Sequence, residues 1–225
     1  MEIVLGLVAA LAWGLHDFFV RFIVKKVNII TALAFTNGVG ILALLLILLF
    51  SSQNIMIEKR FLVISATYGV LFLGATYSLY KAFDHGPVSI AAPIIASYPL
   101  LSLLYAAISG VRPEALQWIL SCLVVIGLAL TVSSQMNQKS TSKSNITITI
   151  CWSLLAALLF SISFLLGQNQ TINGNEVSSN LMARLASATI LFGFFSKKVR
   201  TTSLKLNQIL IFVFMGFADT MALTI

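Results

Sequence analysis

The chain has 225 residues, of which 59% are hydrophobic and only 9% are charged. Soluble domains carry about 25% charged residues, so this composition excludes an ordinary soluble domain and indicates a protein that crosses a membrane several times. Lys and Arg (14) outnumber Asp and Glu (7), but most of these cations lie in short loops between apolar runs, where they orient helices and do not indicate nucleic-acid binding.

Apolar runs of membrane-spanning length follow one another along the whole chain. A helix of about 20 apolar residues crosses a bilayer. Eight runs have this length: 3–24, 29–50, 61–83, 87–110, 115–134, 147–167, 178–196 and 206–225. The sequence therefore predicts an all-α, polytopic membrane protein with about eight transmembrane helices.

The first run carries a polar stripe. Trp13, Asp17 and Arg21 are four residues apart and share one helix face, and His16 precedes the acid. A carboxylate at mid-membrane depth costs roughly 3 kcal/mol on insertion scales, so Asp17 should face the bundle interior or water. Two interpretations stay open and are compatible: Asp17 pairs with Arg21 within the helix, or it lines a cavity.

The third run ends in a second polar stripe. Tyr77, Lys81 and Asp84 share one helix face at spacings of four and three residues. Lys81 either extends to the lipid headgroups from the helix end or belongs to a binding site.

The fourth run is interrupted by Pro93 and Pro99. A proline removes a helical hydrogen bond, but in a membrane neighbouring helices and hydroxyl groups can satisfy the freed carbonyl. The run therefore predicts a bent transmembrane helix. Ser89, Pro93 and Ser97 repeat every four residues, so one face of this helix offers hydroxyl groups and a freed carbonyl to a cavity.

The polar residues 135–146 divide the chain into two repeats of the same kind. Residues 1–134 form a first repeat of five predicted helices, and residues 147–225 form a second, incomplete repeat of three. Aligning the sixth run with the first places Phe160 opposite Trp13 and Phe164 opposite Asp17. Two tandem repeats with an odd number of helices insert in opposite orientations, as in many secondary transporters.

Charged and aromatic side chains suggest the chemistry of a site. We expect Asp17 to be the acid that couples transport or recognises a cation, helped by His16. Asp219 is a second candidate acid, and a structural ion pair between Arg184 and Asp219 is favoured because unpaired charges are costly in a membrane. The aromatic residues either form a wall suited to cations or flat solutes, or simply pack; they are Trp13, Tyr77, Phe160 and Phe164.

Several stretches resemble EamA-type permeases of the drug/metabolite transporter superfamily. They are Ala10 to Gly14 (ALAWG), Tyr80 to Leu100 (YKAFDHGPVSIAAPIIASYPL), Arg112 to Ala115 (RPEA), Ile126 to Leu130 (IGLAL), Arg184, and Gly216 to Asp219 (GFAD). The resemblance implies a ten-helix bundle of two inverted five-helix repeats in the cell membrane. It also implies a permease or exporter of small organic metabolites or drugs, which works by alternating access and is coupled to protons or to exchange.

The ten-helix pattern exceeds the eight runs, and the sequence stops within an apolar run at Ile225. We expect the last two helices of a longer chain, or a homodimer, to complete the bundle. The expected partners are a small organic solute and the lipid bilayer, without nucleic acid, cofactor or metal. An enzyme is not expected, because the sequence lacks HExxH and G-x-S-x-G motifs. A membrane scaffold or sensor without transport activity is the alternative.

Overall fold

The computed structural model describes residues 2–50, 58–110, 112–136, 143–171, 176–199 and 204–224. Within these ranges the regular elements are helices, with one short 3₁₀ turn at Ser196–Lys198. The helices are α1 (Glu2–Ile23), α2 (Ile29–Phe50), α3 (Lys59–His85), α4 (Val88–Ile95), α5 (Tyr98–Ile108), α6 (Ala115–Met136), α7 (Lys143–Thr171), α8 (Glu176–Phe195) and α9 (Leu206–Thr224).

Each of the eight apolar runs contains a helix, and the fourth run contains two. By length and composition, six spans are apolar enough to cross a membrane: Val4–Ile23, Ile29–Phe50, Lys59–His85, Val88–Ile108, Asn145–Gln168 and Leu206–Thr224. Ala115–Gly127 of α6 is a shorter apolar segment. The prediction of an all-α, polytopic membrane protein is therefore confirmed.

The fourth run is one apolar span, Val88–Ile108, and a two-residue turn divides it into α4 and α5. Pro93 lies inside α4, Pro99 lies in the first turn of α5, and Ala96 and Ser97 separate the two helices. Both prolines lack the N–H group that a continuous helix would use here. The predicted bend corresponds to this turn, which lies between the two prolines and which we call the break between α4 and α5.

The helices group into two compact units. The first unit comprises Met1–Leu73 and Leu166–Ile225, and the second comprises Gly74–Leu165. This grouping differs from the predicted repeats at 1–134 and 147–225, which stay a prediction. Residues 137–142 of the predicted linker lie outside the described residues.

In the first unit, α9 packs against α1 and α2, and α2 also packs against α8. α3 and α8 approach closely at Gly69, where an added β-carbon would overlap the backbone of Ala183. Glycine therefore permits the short distance between these helices.

In the second unit, α4 and α5 both pack against α6. Tyr80 and Phe83 of α3 are fully buried there, and the hydroxyl groups of Ser102 on α5 and Ser161 on α7 lie 3.1 Å apart. These contacts fix the helices that carry the aromatic side chains described below.

Candidate functional site

A buried ion pair lies at the centre of the first unit. Arg184 on α8 donates from Nη2 to Oδ2 of Asp219 on α9 over 2.7 Å, and the two side chains are only 8% and 9% exposed. Asp219 reaches α8 because it lies on the buried face of α9, with Met215 and Ala222. The structure thus brings together the two residues for which an ion pair was predicted.

Two more helices bind this pair. Trp13 on α1 donates from its indole nitrogen to Oδ1 of Asp219 over 3.3 Å. Asn37 on α2 donates to the backbone carbonyl of Arg184 over 3.0 Å. Each carboxylate oxygen of Asp219 therefore accepts a hydrogen bond from a different helix, and polar contacts connect α1, α2, α8 and α9. We call Trp13, Arg184 and Asp219 the charge cluster.

Arg184 is held tightly but is not fully satisfied. Its guanidinium group lies against Gly40 on α2, where a β-carbon would overlap it. Within the described residues, Nε of Arg184 and the hydroxyl of Thr36 are buried without a hydrogen-bond partner. A buried polar network is costly when some of its groups lack hydrogen bonds. The remaining hydrogen bonds of Arg184 therefore matter more for stability.

Next to the charge cluster, His16 and Asp17 form a second polar pair. Nδ1 of His16 lies 3.1 Å from Oδ1 of Asp17. The imidazole ring is buried, with 6% of its side chain exposed, whereas 33% of the Asp17 side chain is exposed. In the described part of the chain Asp17 makes no ion pair with Arg21, whose exposed guanidinium lies 6.0 Å from the Phe22 ring.

Sequence reasoning missed a third polar contact in the first unit. The hydroxyl of Tyr68 on α3 donates to Asn180 on α8 over 3.0 Å, and Asn180 in turn donates to the backbone carbonyl of Leu223. Asn180 lies four residues before Arg184, on the same buried face of α8. That spacing was the available signal for a polar stripe on this helix.

In the second unit, the break between α4 and α5 exposes backbone groups to neighbouring side chains. The Ser97 hydroxyl donates to the carbonyl of Ile94 over 2.6 Å. Pro93 is buried and supplies no N–H, so the carbonyl of the half-buried Ser89, one turn earlier, lacks its helical donor. The Ser97 hydroxyl thus lies in the break, and the Ser89 hydroxyl and freed carbonyl lie on α4.

An aromatic group directly follows this break, and we define it as Tyr98, Phe160 and Phe164. The rings of Phe160 and Phe164 on α7 are stacked with centroids 5.7 Å apart. Tyr98 of α5 lies against both, with centroid distances of 6.2 and 5.1 Å. Tyr98 was not predicted as a site residue, although its position immediately before Pro99 placed it at the break.

The other predicted aromatic residues have different neighbours. Tyr77 on α3 lies edge-on to Trp152 of α7, with centroids 5.9 Å apart, and the Lys81 ammonium lies 5.9 Å from the Tyr77 ring centroid. This is the distance of a cation–π contact. Trp13 belongs to the first unit and to the charge cluster. The aromatic wall of these four residues stays a prediction.

The comparisons with known proteins now identify the family. The model of the EamA-like transporter family matches residues 1–133, more than half of the chain. The chain belongs to this family. The EamA-like chain is also 29% identical over 132 residues to the uncharacterized protein MJ1333.1 of Methanocaldococcus jannaschii. The alignment covers 57% of this chain and 93% of that protein.

Membership establishes that this EamA-like chain is a multi-pass membrane protein of a transporter family, and hence a membrane permease in general. The family segment contains the candidate residues of α1, α3 and α4. Four site residues lie beyond it, namely Phe160, Phe164, Arg184 and Asp219. Their roles depend on the geometry of this chain.

Proposed function

We propose that this EamA-like protein moves small organic metabolites or drugs across the membrane by alternating access, and that the aromatic group contacts the solute. The observation that carries the proposal is the packing of Tyr98, Phe160 and Phe164 directly after a broken membrane helix. Broken helices in membranes occur where their backbone is buried in protein or lines a water-filled cavity, and transporters use them to build binding sites.

The chemistry of the aromatic group favours a flat, largely apolar solute. Aromatic rings attract one another in offset or edge-to-face arrangements worth about 0.5–1.5 kcal/mol per pair. Tyr98 and Phe164 are half-buried, so their rings are still partly accessible. An aromatic solute that contacts two such rings would gain roughly 1–3 kcal/mol, or about a five- to hundredfold change in affinity.

Lys81 and Tyr77 give the second unit a place for a negatively charged solute group. The Lys81 side chain is half-buried, and no ion pair is formed by it within the described residues. Its ammonium lies over Tyr77, so a carboxylate there would meet a positive charge beside an aromatic ring. We therefore propose flat solutes with a carboxylate, such as aromatic amino acids, as the first class to test.

The experiment is solute flux into proteoliposomes that contain the full chain. L-Phenylalanine is the flat probe with a carboxylate, ethidium is the flat cationic probe, and methyl glucoside is the non-aromatic probe. We expect exchange of L-phenylalanine, lowered at least fivefold by Tyr98→Leu and by Phe164→Leu. Phe194→Leu is the matched control, because Phe194 on α8 is 83% exposed and lies outside the aromatic group; it should leave flux unchanged.

Two results would contradict the proposal in different ways. If flux occurs but is the same in Tyr98→Leu and Phe164→Leu as in the control, the aromatic group does not contact the solute. If none of the probes crosses the membrane in any variant while the protein is correctly folded, a scaffold or sensor role replaces transport of these solutes.

A further inference from the structure

We propose that Thr36 and Arg184 form a binding site for one buried water molecule, which joins α2 to α8 beside the charge cluster. The ligand is a small neutral molecule that both accepts and donates hydrogen bonds. Both residues belong to the first unit, where α2 and α8 pack against each other. The site is independent of the solute that the protein moves.

Two buried polar groups on these neighbouring helices lack a hydrogen bond within the described residues. They are Nε of Arg184 on α8 and the hydroxyl of Thr36 on α2. Thr36 is 5% exposed and Arg184 is 6% exposed. The Nε–H group can only donate, whereas a hydroxyl can donate and accept. Buried groups of this kind are rarely left without a partner, because the lost hydrogen bonds to water are not replaced.

The Thr36 hydroxyl does not use the partner that a helix can give it. Thr67 of α3 and Thr220 of α9 each donate to the carbonyl four residues earlier, over 2.8 and 2.7 Å. Such a bond satisfies a hydroxyl within its own helix. In the described part of the chain Thr36 makes no such bond to Ala32. Its hydroxyl is therefore available to a partner outside the backbone of α2.

The two groups lie one helical turn apart on the same face of α2. Nε of Arg184 is 2.8 Å from the point where a β-carbon on Gly40 would lie. Gly40 follows Thr36 by four residues, and β-carbons at this spacing are about 5–6 Å apart. A water molecule that makes two hydrogen bonds of about 2.9 Å spans the same separation. Because Gly40 has no side chain, the guanidinium group reaches a water molecule held by Thr36.

Charge selects water over an ion at this site. The guanidinium group already has a counter-charge, because Nη2 of Arg184 donates to Asp219 over 2.7 Å. An anion at Nε would give this buried group of charges a net negative charge, and a cation would be repelled by the guanidinium. A water molecule leaves the ion pair neutral. Buried waters make 2–4 hydrogen bonds to groups that otherwise lack partners, and ordered waters also satisfy polar groups of membrane helices.

The water completes the attachment of Arg184 to α2. Asn37 already donates to the backbone carbonyl of Arg184 over 3.0 Å, one residue after Thr36. The side chain of Arg184 would then be bound to the same turn of α2 through the water. Water-mediated hydrogen bonds are nearly as favourable in enthalpy as direct ones.

The experiment detects the water by proton-detected solid-state NMR of the full chain in lipid bilayers. Both residues can be assigned without mutation, because Ala183–Arg184 is the only Ala–Arg pair in the sequence and Phe35–Thr36 is the only Phe–Thr pair. In each pair the first residue is labelled with ¹³C at the carbonyl and the second with ¹³C and ¹⁵N. We expect cross peaks from water to the Nε–H proton of Arg184 and to the side-chain protons of Thr36.

Two substitutions of Thr36 separate its hydroxyl from its shape. Thr36→Val removes the hydroxyl and keeps the branched side chain, so the water cross peak of Arg184 should be lost. Thr36→Ser keeps the hydroxyl and should keep the cross peak. Thr67→Val is the matched control, because the exposed Thr67 donates to its own helix; it should leave the Arg184 signal unchanged.

Three results would overturn the water site. They are the absence of a water cross peak at Nε of Arg184 in the wild-type chain, a cross peak that persists at full intensity in Thr36→Val, and an Nε resonance that shifts when bromide replaces chloride. The last result would assign the site to an anion. If Thr36→Val does not fold, the wild-type spectra decide: water contacts at both side chains support the site, and contact at one or neither overturns it.

Discussion

Removing one partner of the Arg184–Asp219 ion pair should destabilise the protein far more than removing both. The side chains are at most 9% exposed and their bond is 2.7 Å long. Deleting one member of such a pair leaves an unpaired buried charge and typically costs about 3–5 kcal/mol. We therefore expect Arg184→Met and Asp219→Leu each to shift the unfolding equilibrium by more than about a hundredfold.

The double variant should recover most of this loss. Arg184→Met with Asp219→Leu removes both charges, and the indole N–H of Trp13 then loses its Asp219 acceptor. An unsatisfied buried donor costs about 1–3 kcal/mol. The double variant is thus expected to be more stable than either single variant, with a coupling energy between the two sites of at least about 3 kcal/mol.

The assay is a double-mutant cycle on the free energy of unfolding, measured by steric trapping of the full chain in bicelles. Arg21→Met and Asp84→Leu are the matched controls, because Arg21 is exposed and neither residue forms an ion pair among the described residues. Each should change stability by less than about 0.5 kcal/mol. Additive losses in the double variant, or single-variant losses below about 1 kcal/mol, would refute the assignment of a buried, energetically coupled pair.

Three further predictions concern packing, hydrogen bonding and the helix break. Gly69→Ala places a methyl group against the backbone of α8 and should lower the free energy of unfolding by about 1–3 kcal/mol. The control Gly14→Ala places its methyl group in open space and should leave stability unchanged. Equal melting temperatures of the two variants in detergent would contradict this prediction. Tyr68→Phe should cost about 0.6 kcal/mol through its bond to Asn180, and nothing in an Asn180→Leu background; a loss that persists there would assign the effect to something else. Pro93→Ala restores a helical N–H and should slow solute exchange several-fold without lowering the melting temperature, so an unchanged exchange rate would show that the break is not needed.

The helices were predictable because membrane spans must be long and apolar. α2 begins at Ile29 and ends at Phe50, as the apolar run 29–50 predicted. The break between α4 and α5 was predicted only as a bend. The sequence shows where backbone N–H groups are missing, but not whether the helix continues unbroken past them. At the turn, the Ser97 hydroxyl donates a hydrogen bond to the carbonyl of Ile94.

Partners between distant helices were harder to predict. The ion pair of Arg184 and Asp219 was predictable because an unpaired buried charge is energetically costly, and the second repeat contains few acidic residues that could pair with a buried arginine. The position of Tyr98 before Pro99 placed it at the predicted bend, but the sequence did not show that its ring would contact α7. Asp17 shows the limit of spacing rules. Arg21 was at the correct spacing for a pair, but it is exposed near the end of α1, while the adjacent His16 ring is buried and contacts the carboxylate.

The family match stops at residue 133. The polar residues of α1 lie before this boundary, and the residues of α8 and α9 that bind Trp13 and Asp219 lie after it. Trp13 lies inside the matched segment, but its hydrogen-bond acceptor Asp219 and the partner of that acid, Arg184, lie outside it. The hydrogen bond that Trp13 of α1 makes therefore depends on α8 and α9, which the matched segment does not contain.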